Sequence, residues 1–313
     1  MQFWPHNRVK REYPRVRSWP VSKTAKLLAV AGYKVGMTHI MVHDKRPNSS
    51  SKGEQVSFPV TIIECPPMTI WGVRFYKSTI DGKKAVTQLT MESPKKELGR
   101  KLSLPNKNQK PSFDNLPEWD DLMLLVHTMP KQTGIGKKRP EVFEVAIGGS
   151  KDEKFAFAKD KLGHEIVVKD VFKNGQLVDI HGVTTGKGFA GVVKKYGVAI
   201  RSHKSEKSIR AAVTAPEGIA KLYHTAPLPG KIGYNLRTFY NNQMMLISDK
   251  PEQINQKGGI TNYGVVKNPF VLIKGSIPGP QKRFVLMVEP IRVNKKIDQK
   301  PVDITYISTS SKQ

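Results

Sequence analysis

Apolar residues along this chain gather in short runs rather than in long helical stripes. Residues 27–42 are apolar and glycine-punctuated, the pattern of a strand pair with a tight bend. Residues 56–64 and 69–76 form two more β-rich runs, split by Pro66-Pro67. Before them, residues 48–53 are rich in serine and turn formers and read as a polar hairpin tip. Strands resume at 243–247, 270–273 and 283–288, with a rigid Gly- and Pro-rich turn at 274–280. Many short strands at this spacing argue for a barrel rather than a parallel sheet. The tail, 291–313, is polar and reads as extended.

The texture changes between about 77 and 170. Residues 92–111 are charged and Lys-rich, and Leu122-Met123-Leu124-Leu125-Val126 is strand-like. Ser150 followed by Glu153 is a capping-box signature, Phe155, Ala158 and Leu162 follow at helical spacing, and Gly163 sits where the helix should stop. This stretch reads as an α+β insertion in a mainly β chain. After it, Asn174-Gly175 between two apolar runs is a two-residue hairpin signal.

One segment breaks the pattern. From Ile180 to Arg237 there are ten Lys or Arg against two acids, and no strand or helix period persists beyond Gly191. Such a stretch buries little apolar area, so it reads as a loop that orders against a polyanion. Charge extends the point to the whole chain: 313 residues carry 52 Lys+Arg against 26 Asp+Glu, a formal +26. That balance speaks of nucleic-acid partners rather than of fold. A basic, Pro-interrupted arm, residues 1–26, sets Arg8, Lys10, Arg11, Arg15 and Arg17 among Trp4, Tyr13 and Trp19, a mixture suited to phosphate contact and base stacking.

Candidate chemistry is thin by comparison. Gly182-Val183-Thr184-Thr185-Gly186-Lys187-Gly188 resembles a phosphate-binding P-loop, but the spacing from Gly182 to Gly186 is short by one and Gly188 stands where the magnesium-binding hydroxyl belongs. What remains is exposed backbone N–H beside a lysine, which any phosphate can approach. No serine nucleophile elbow or zinc-binding His pair on a helix is present, and the single cysteine, Cys65, has no basic neighbour to activate it. His39 and His43 share a strand face but have no third ligand nearby in sequence. No enzyme activity, cofactor or metal is expected, and no membrane partner.

Taken together, several motifs resemble one family, the third protein of the large ribosomal subunit in its archaeal or eukaryotic form. They are Ser18-Trp19-Pro20, Ala31-Gly32-Tyr33-Lys34-Val35-Gly36-Met37-Thr38, Leu125-Val126-His127-Thr128, Lys137-Lys138-Arg139-Pro140, the run from Thr184 through Phe189, Ala190 and Gly191, and Gly275-Ser276-Ile277-Pro278-Gly279-Pro280. The resemblance implies a six-stranded translation-protein-type β-barrel split over 27–76 and 171–300, an α+β insert over 77–170, an extended arm over 1–26 and an extended tail over 301–313. A basic internal loop, about 184–240, would thread through RNA. It implies a structural constituent of the large ribosomal subunit, cytoplasmic and present once per ribosome among other large-subunit proteins. By the same resemblance, this constituent would bind the 3′ domain of the ribosomal RNA, nucleate assembly and support the peptidyl-transferase region without catalysing chemistry.

The RNA-binding residues expected are Arg8, Lys10, Arg11, Arg15, Arg17 and Trp19 in the arm. In the loop they are Gly186, Lys187, Gly188, Phe189, Gly191, Lys194, Lys195, Tyr196, Arg201, His203, Lys204, Arg210, Lys221, Gly230, Lys231, Gly233 and Arg237, with Lys282 and Arg283 beside the turn. The sequence departs from many relatives at the loop tip, residues 213–219, which holds no Trp. A free nucleic-acid-binding factor and a barrel enzyme with a bound nucleotide are the rival readings.

Overall fold

The computed structural model describes residues 3–46, 49–104, 111–114, 116–204 and 221–310. Its strands and helices, in chain order, begin with β1 (Ala29–His43), β2 (Gln55–Glu64), β3 (Met68–Thr79), β4 (Gly82–Thr90), β5 (Asp121–Thr128) and β6 (Val142–Ala146). Next come α1 (Lys151–Lys161), β7 (Glu165–Ile166), α2 (Val168–Val171), β8 (Leu177–Val183), β9 (Phe189–Ala190) and α3 (Val192–Tyr196). The chain then makes β10 (Gly230–Lys231), β11 (Leu236–Ser248), β12 (Phe270–Lys274), β13 (Phe284–Val288) and β14 (Ile304–Ile307). The protein is mainly β, as its short apolar runs predict.

Six of the strands pair antiparallel in a closed cycle, β1 to β2, β12, β11, β8, β13 and back to β1. β1 makes this possible. Its first residues pair with β13 (Ala29↔Val288 to Tyr33↔Phe284), while its far end pairs with β14 in the tail. The expected bend in this region is absent, and 29–43 is one strand. Gly32 is there for packing, since a Cβ on it would lie 2.4 Å from Ile63 Cγ2 on β2. Gly36 sits at a register shift in the β1–β2 ladder.

A second sheet orders β4-β3-β5-β6, with β7 added to β3. Residues 69–76, which the sequence reading groups with the first ring strands, therefore pair here. The expected hairpin at Asn174-Gly175 is also absent. Gly175 does turn the chain (φ 84°), but β8 pairs with the distant β11 and β13, and the segment before the turn is β7 and α2. Asn174 Oδ1 accepts from Ile247 N on β11, so the turn is tied across the ring rather than to its neighbour. The capping box forms as read: Ser150 caps α1, Glu153 N donates to its Oγ, and Ser150 N donates to Glu153 Oε2.

Strands buried on both faces explain the unbroken apolar runs. Val271 and Ile273 of β12 face a core that also takes in Ile70, Phe75 and Leu124 of the second sheet. Phe270 and Leu272 face a second cluster with Ile254, Ile260 and Tyr263 from the β11–β12 connection. That connection is pinned by the buried Glu64 carboxylate, which accepts from Lys267 N and Asn268 N (both 2.9 Å), Asn268 Nδ2 (2.7 Å) and the Tyr263 hydroxyl. A buried carboxylate without such donors would be costly.

Candidate nucleic-acid interface

The site is built where the arm meets the base of the basic loop. β8 and β11 run out of the ring side by side to Val183↔Leu236. The ladder continues past them: Thr184 N donates to Asn235 O, Lys187 N to Ile232 O and Ile232 N to Gly188 O, each at 3.0 Å. It ends in β9 paired with β10, Ala190↔Gly230 and Phe189↔Lys231. What the sequence reading treats as unstructured loop from 184 is thus a two-stranded stem at its base, and residues 236–240 belong to β11. The stem kinks at Gly233 (φ 76°) and Tyr234 (φ 56°). A Cβ on Gly233 would lie 2.2 Å from Thr185 O, so a glycine is required there twice over. Gly188 (φ 67°) has open space over its Cα, which leaves its backbone approachable.

Past the stem, α3 carries Lys194, Lys195 and Tyr196, and Gly197 (φ 71°) ends it in the left-handed conformation. The arm then folds onto this assembly. Val9 N donates to Tyr234 O (3.0 Å) and Asn235 Nδ2 to Asn7 O (2.9 Å). Trp4 stacks on His6 with centroids 4.1 Å apart, and on Tyr196 at 6.1 Å, and meets His224 edge-on. The Arg237 guanidinium lies 4.3 Å over the Phe3 ring. Glu12 fastens the arm's far side, pairing with Arg283 (3.2 Å) and Lys137 (3.5 Å).

Between arm, stem and the turn before β13 lies a notch of about 460 Å³, lined by His6, Thr185, Lys187, Lys195, Lys231 and Arg237 among others. Burial, then the neighbouring Lys195 charge, lowers the His6 pKa. The turn is held by a half-buried cation: Lys34 Nζ donates to Ile277 O (2.9 Å) and Gly279 O (2.8 Å), and partial burial lowers its pKa. On the ring wall, burial pulls His181 down to about 4, beside Thr238 Oγ1 at 2.9 Å. Cys65 is buried, and burial followed by the Glu64 charge pushes its thiol well above the ordinary range, so no reactive thiolate forms there.

The structure brings some expected residues together and separates others. Lys187, Lys195, Lys231 and Arg237 converge on the notch, while Arg8 shares a neighbouring hollow with Gly186, Gly188, Phe189 and Gly233. Lys194, Gly191, Arg201, His203, Lys204 and Lys221 are exposed farther along the loop, and Gly230 backs onto Lys195. Lys10, Arg11, Arg15 and Arg17 are exposed along the arm. Trp19 packs half-buried against the core with Tyr13 and Val16. Lys282 is exposed, but the Arg283 side chain is 10% exposed and spent on Glu12 and on the Tyr234 ring, 5.1 Å away. Arg210 and the Trp-less tip lie outside the described residues. Sequence reasoning missed His6, Glu12 and Asn235. Glu12 carries the one signal that was available: it is the single acid in a basic arm.

A family model described as ribosomal protein L3 matches residues 1–121 and 118–313. The chain belongs to the ribosomal protein L3 family. Among curated relatives of this family, it is 42% identical over 322 residues to large ribosomal subunit protein uL3 of Methanobrevibacter smithii, covering 99% of this chain and 96% of that one. It is 41% identical to the protein of the same name from Methanothermobacter thermautotrophicus, with 99% and 96% covered. The Methanopyrus kandleri member of the family is 37% identical, with 100% and 90% covered.

Proposed function

We propose that this protein is a structural constituent of the large ribosomal subunit, acting in the cytoplasm and not as an enzyme. It binds the 3′ domain of large-subunit ribosomal RNA, nucleates assembly there and supports the peptidyl-transferase region. One copy serves each ribosome, beside other large-subunit proteins. On this reading the six-strand cycle is the family's translation-protein-type barrel, and the second sheet with α1 is its α+β insert. The barrel anchors at the surface while arm and stem reach inward along the RNA.

The observation that carries the reading is the convergence of four cations, Lys187, Lys195, Lys231 and Arg237, from separate stretches of chain on one notch. Among the described residues, no carboxylate lines that notch. Such an arrangement has charge for phosphate and backbone N–H for its oxygens. Each contact to single-stranded RNA adds about 0.7 to the slope of log K against log salt.

The test is binding to a 3′-domain fragment and to an unrelated structured RNA across a salt series. A large cognate advantage that survives high salt supports the reading. Equal decline of both affinities would reduce the charge to nonspecific attraction and sink it. Alanine at all four cations should flatten the cognate slope by about 3.

A further inference from the structure

A second surface, farther along β11, has its own construction. The β8–β11 ladder runs in register to Ile180↔Phe239, then shifts and resumes at Val178↔Asn242. Tyr240 and Asn241 fall in the break, and Asn241 is left-handed at φ 53°. Few residues besides glycine and asparagine tolerate this region, and such a conformation persists where its surroundings over-determine it. Here they do. Asp179, buried on β8, accepts from Asn241 N (2.8 Å) and from Ile291 N (3.3 Å), and Asn241 Oδ1 accepts from Asn294 N (3.0 Å). One buried carboxylate therefore ties the bulge to the segment that follows β13.

What this construction holds out is an aromatic ring. Tyr240 is 67% exposed, and Ile291 and Val293 are exposed on the segment tied beside it. The same segment carries Arg292, Lys295 and Lys296, all exposed, and no carboxylate pairs with any of the three among the described residues. An exposed ring next to unpaired cations fits a ligand with a flat π face and anionic flanks, which is a nucleotide within a chain. A partner of acidic peptide would match the charge but gives the ring no stacking face.

We propose that Tyr240 with Arg292, Lys295 and Lys296 is a second RNA contact, in which an unpaired base stacks on the phenol ring and its flanking phosphates meet the cations. This rests on the ribosomal-RNA reading above and places a further contact on β11, beyond the notch.

The test uses the full chain and the 3′-domain fragment. Tyr240→Ala should weaken binding about five- to 150-fold, the loss of one base–aromatic stack. Tyr240→Phe, which keeps the stacking face, should bind like the parent and so separates stacking from any effect on folding. Alanine at Arg292, Lys295 and Lys296 together should lower the salt slope by about 2. If these variants bind like the parent while the four-cation notch variant is weakened, the second contact is refuted and the RNA reading stands. If the notch variant also binds unchanged, both fall together. Shielding of Tyr240 from a surface label by large-subunit proteins, with none by RNA alone, would assign the patch to a protein and overturn the proposal.

Discussion

The six-strand cycle and the arm–stem junction are made of opposite materials. The cycle is built around apolar clusters, and its buried carboxylates, Glu64 and Asp179, are met by donors. The junction is a ladder of a few backbone hydrogen bonds, a stack of aromatic rings and cations left open to solvent. Stability should therefore reside in one region and affinity for polyanions in the other. A substitution in either should leave the other's observable nearly untouched.

The strongest way to break that division is Phe284→Ala. Phe284 is buried on β13 and packs against Tyr33 and Phe143, so its removal should cost about 3–5 kcal/mol in urea or thermal unfolding. Its RNA salt slope, measured where the variant is folded, should match the parent. A cost below about 1 kcal/mol would mean that the cycle is not the stability centre.

Acid should come next. His181 is held neutral by burial, with its pKa at about 4 against an ordinary 6.5. The unfolded chain therefore takes up a proton before the folded one does. The contribution is fully present above about pH 7 and is lost as pH falls from 6.5 towards 4, at no more than about 1.4 kcal/mol per pH unit. His181→Gln should flatten the pH dependence of unfolding in that window, and an unchanged profile would rule His181 out as its source.

Two smaller effects sharpen the junction side. Gly233→Ala places a side chain at φ 76° against Thr185 O, a strain of about 1–2 kcal/mol or more. Amide exchange at Lys187 and Ile232 should quicken and RNA affinity should drop, while exchange at Val271 and Leu286 stays slow. Glu12→Gln removes the ion pairs to Arg283 and Lys137, worth below about 1 kcal/mol together. The readout is faster proteolysis within the arm; an unchanged cutting rate would mean that Val9 and Asn7 suffice to hold it.

Much of this was legible in the residues, and the misses share a cause. The α1 capping box and the runs at β12 and β13 are local signals, and they appear where the pattern puts them. Gly32 and Gly36 suggested a bend because glycine turns chains, whereas here Gly32 lets β1 press on Ile63 and Gly36 marks a register shift. Asn174-Gly175 turns the chain as expected, but strand pairing is decided by partners dozens of residues away, which no dipeptide encodes. At the site, the density of cations and glycines marks the stretch whose side chains line the notch. Its stem, Glu12's grip on Arg283 and the half-burial of Trp19 are tertiary facts.

The pairing of Ala29 with Val288 also sets a timetable. The two ends of the cycle lie almost a whole chain apart, so closure waits until residue 288 has left the synthesising ribosome. At about 5–20 residues per second, β1 and β2 spend on the order of ten seconds or more with one edge unfilled. During that interval apolar strands and a strongly basic stretch coexist in the nascent chain. Pairings this remote also make closure slow once it begins. Early capture of the basic stretch by a polyanion, or shelter of the open edge by a chaperone, would therefore protect the chain before its own fold can.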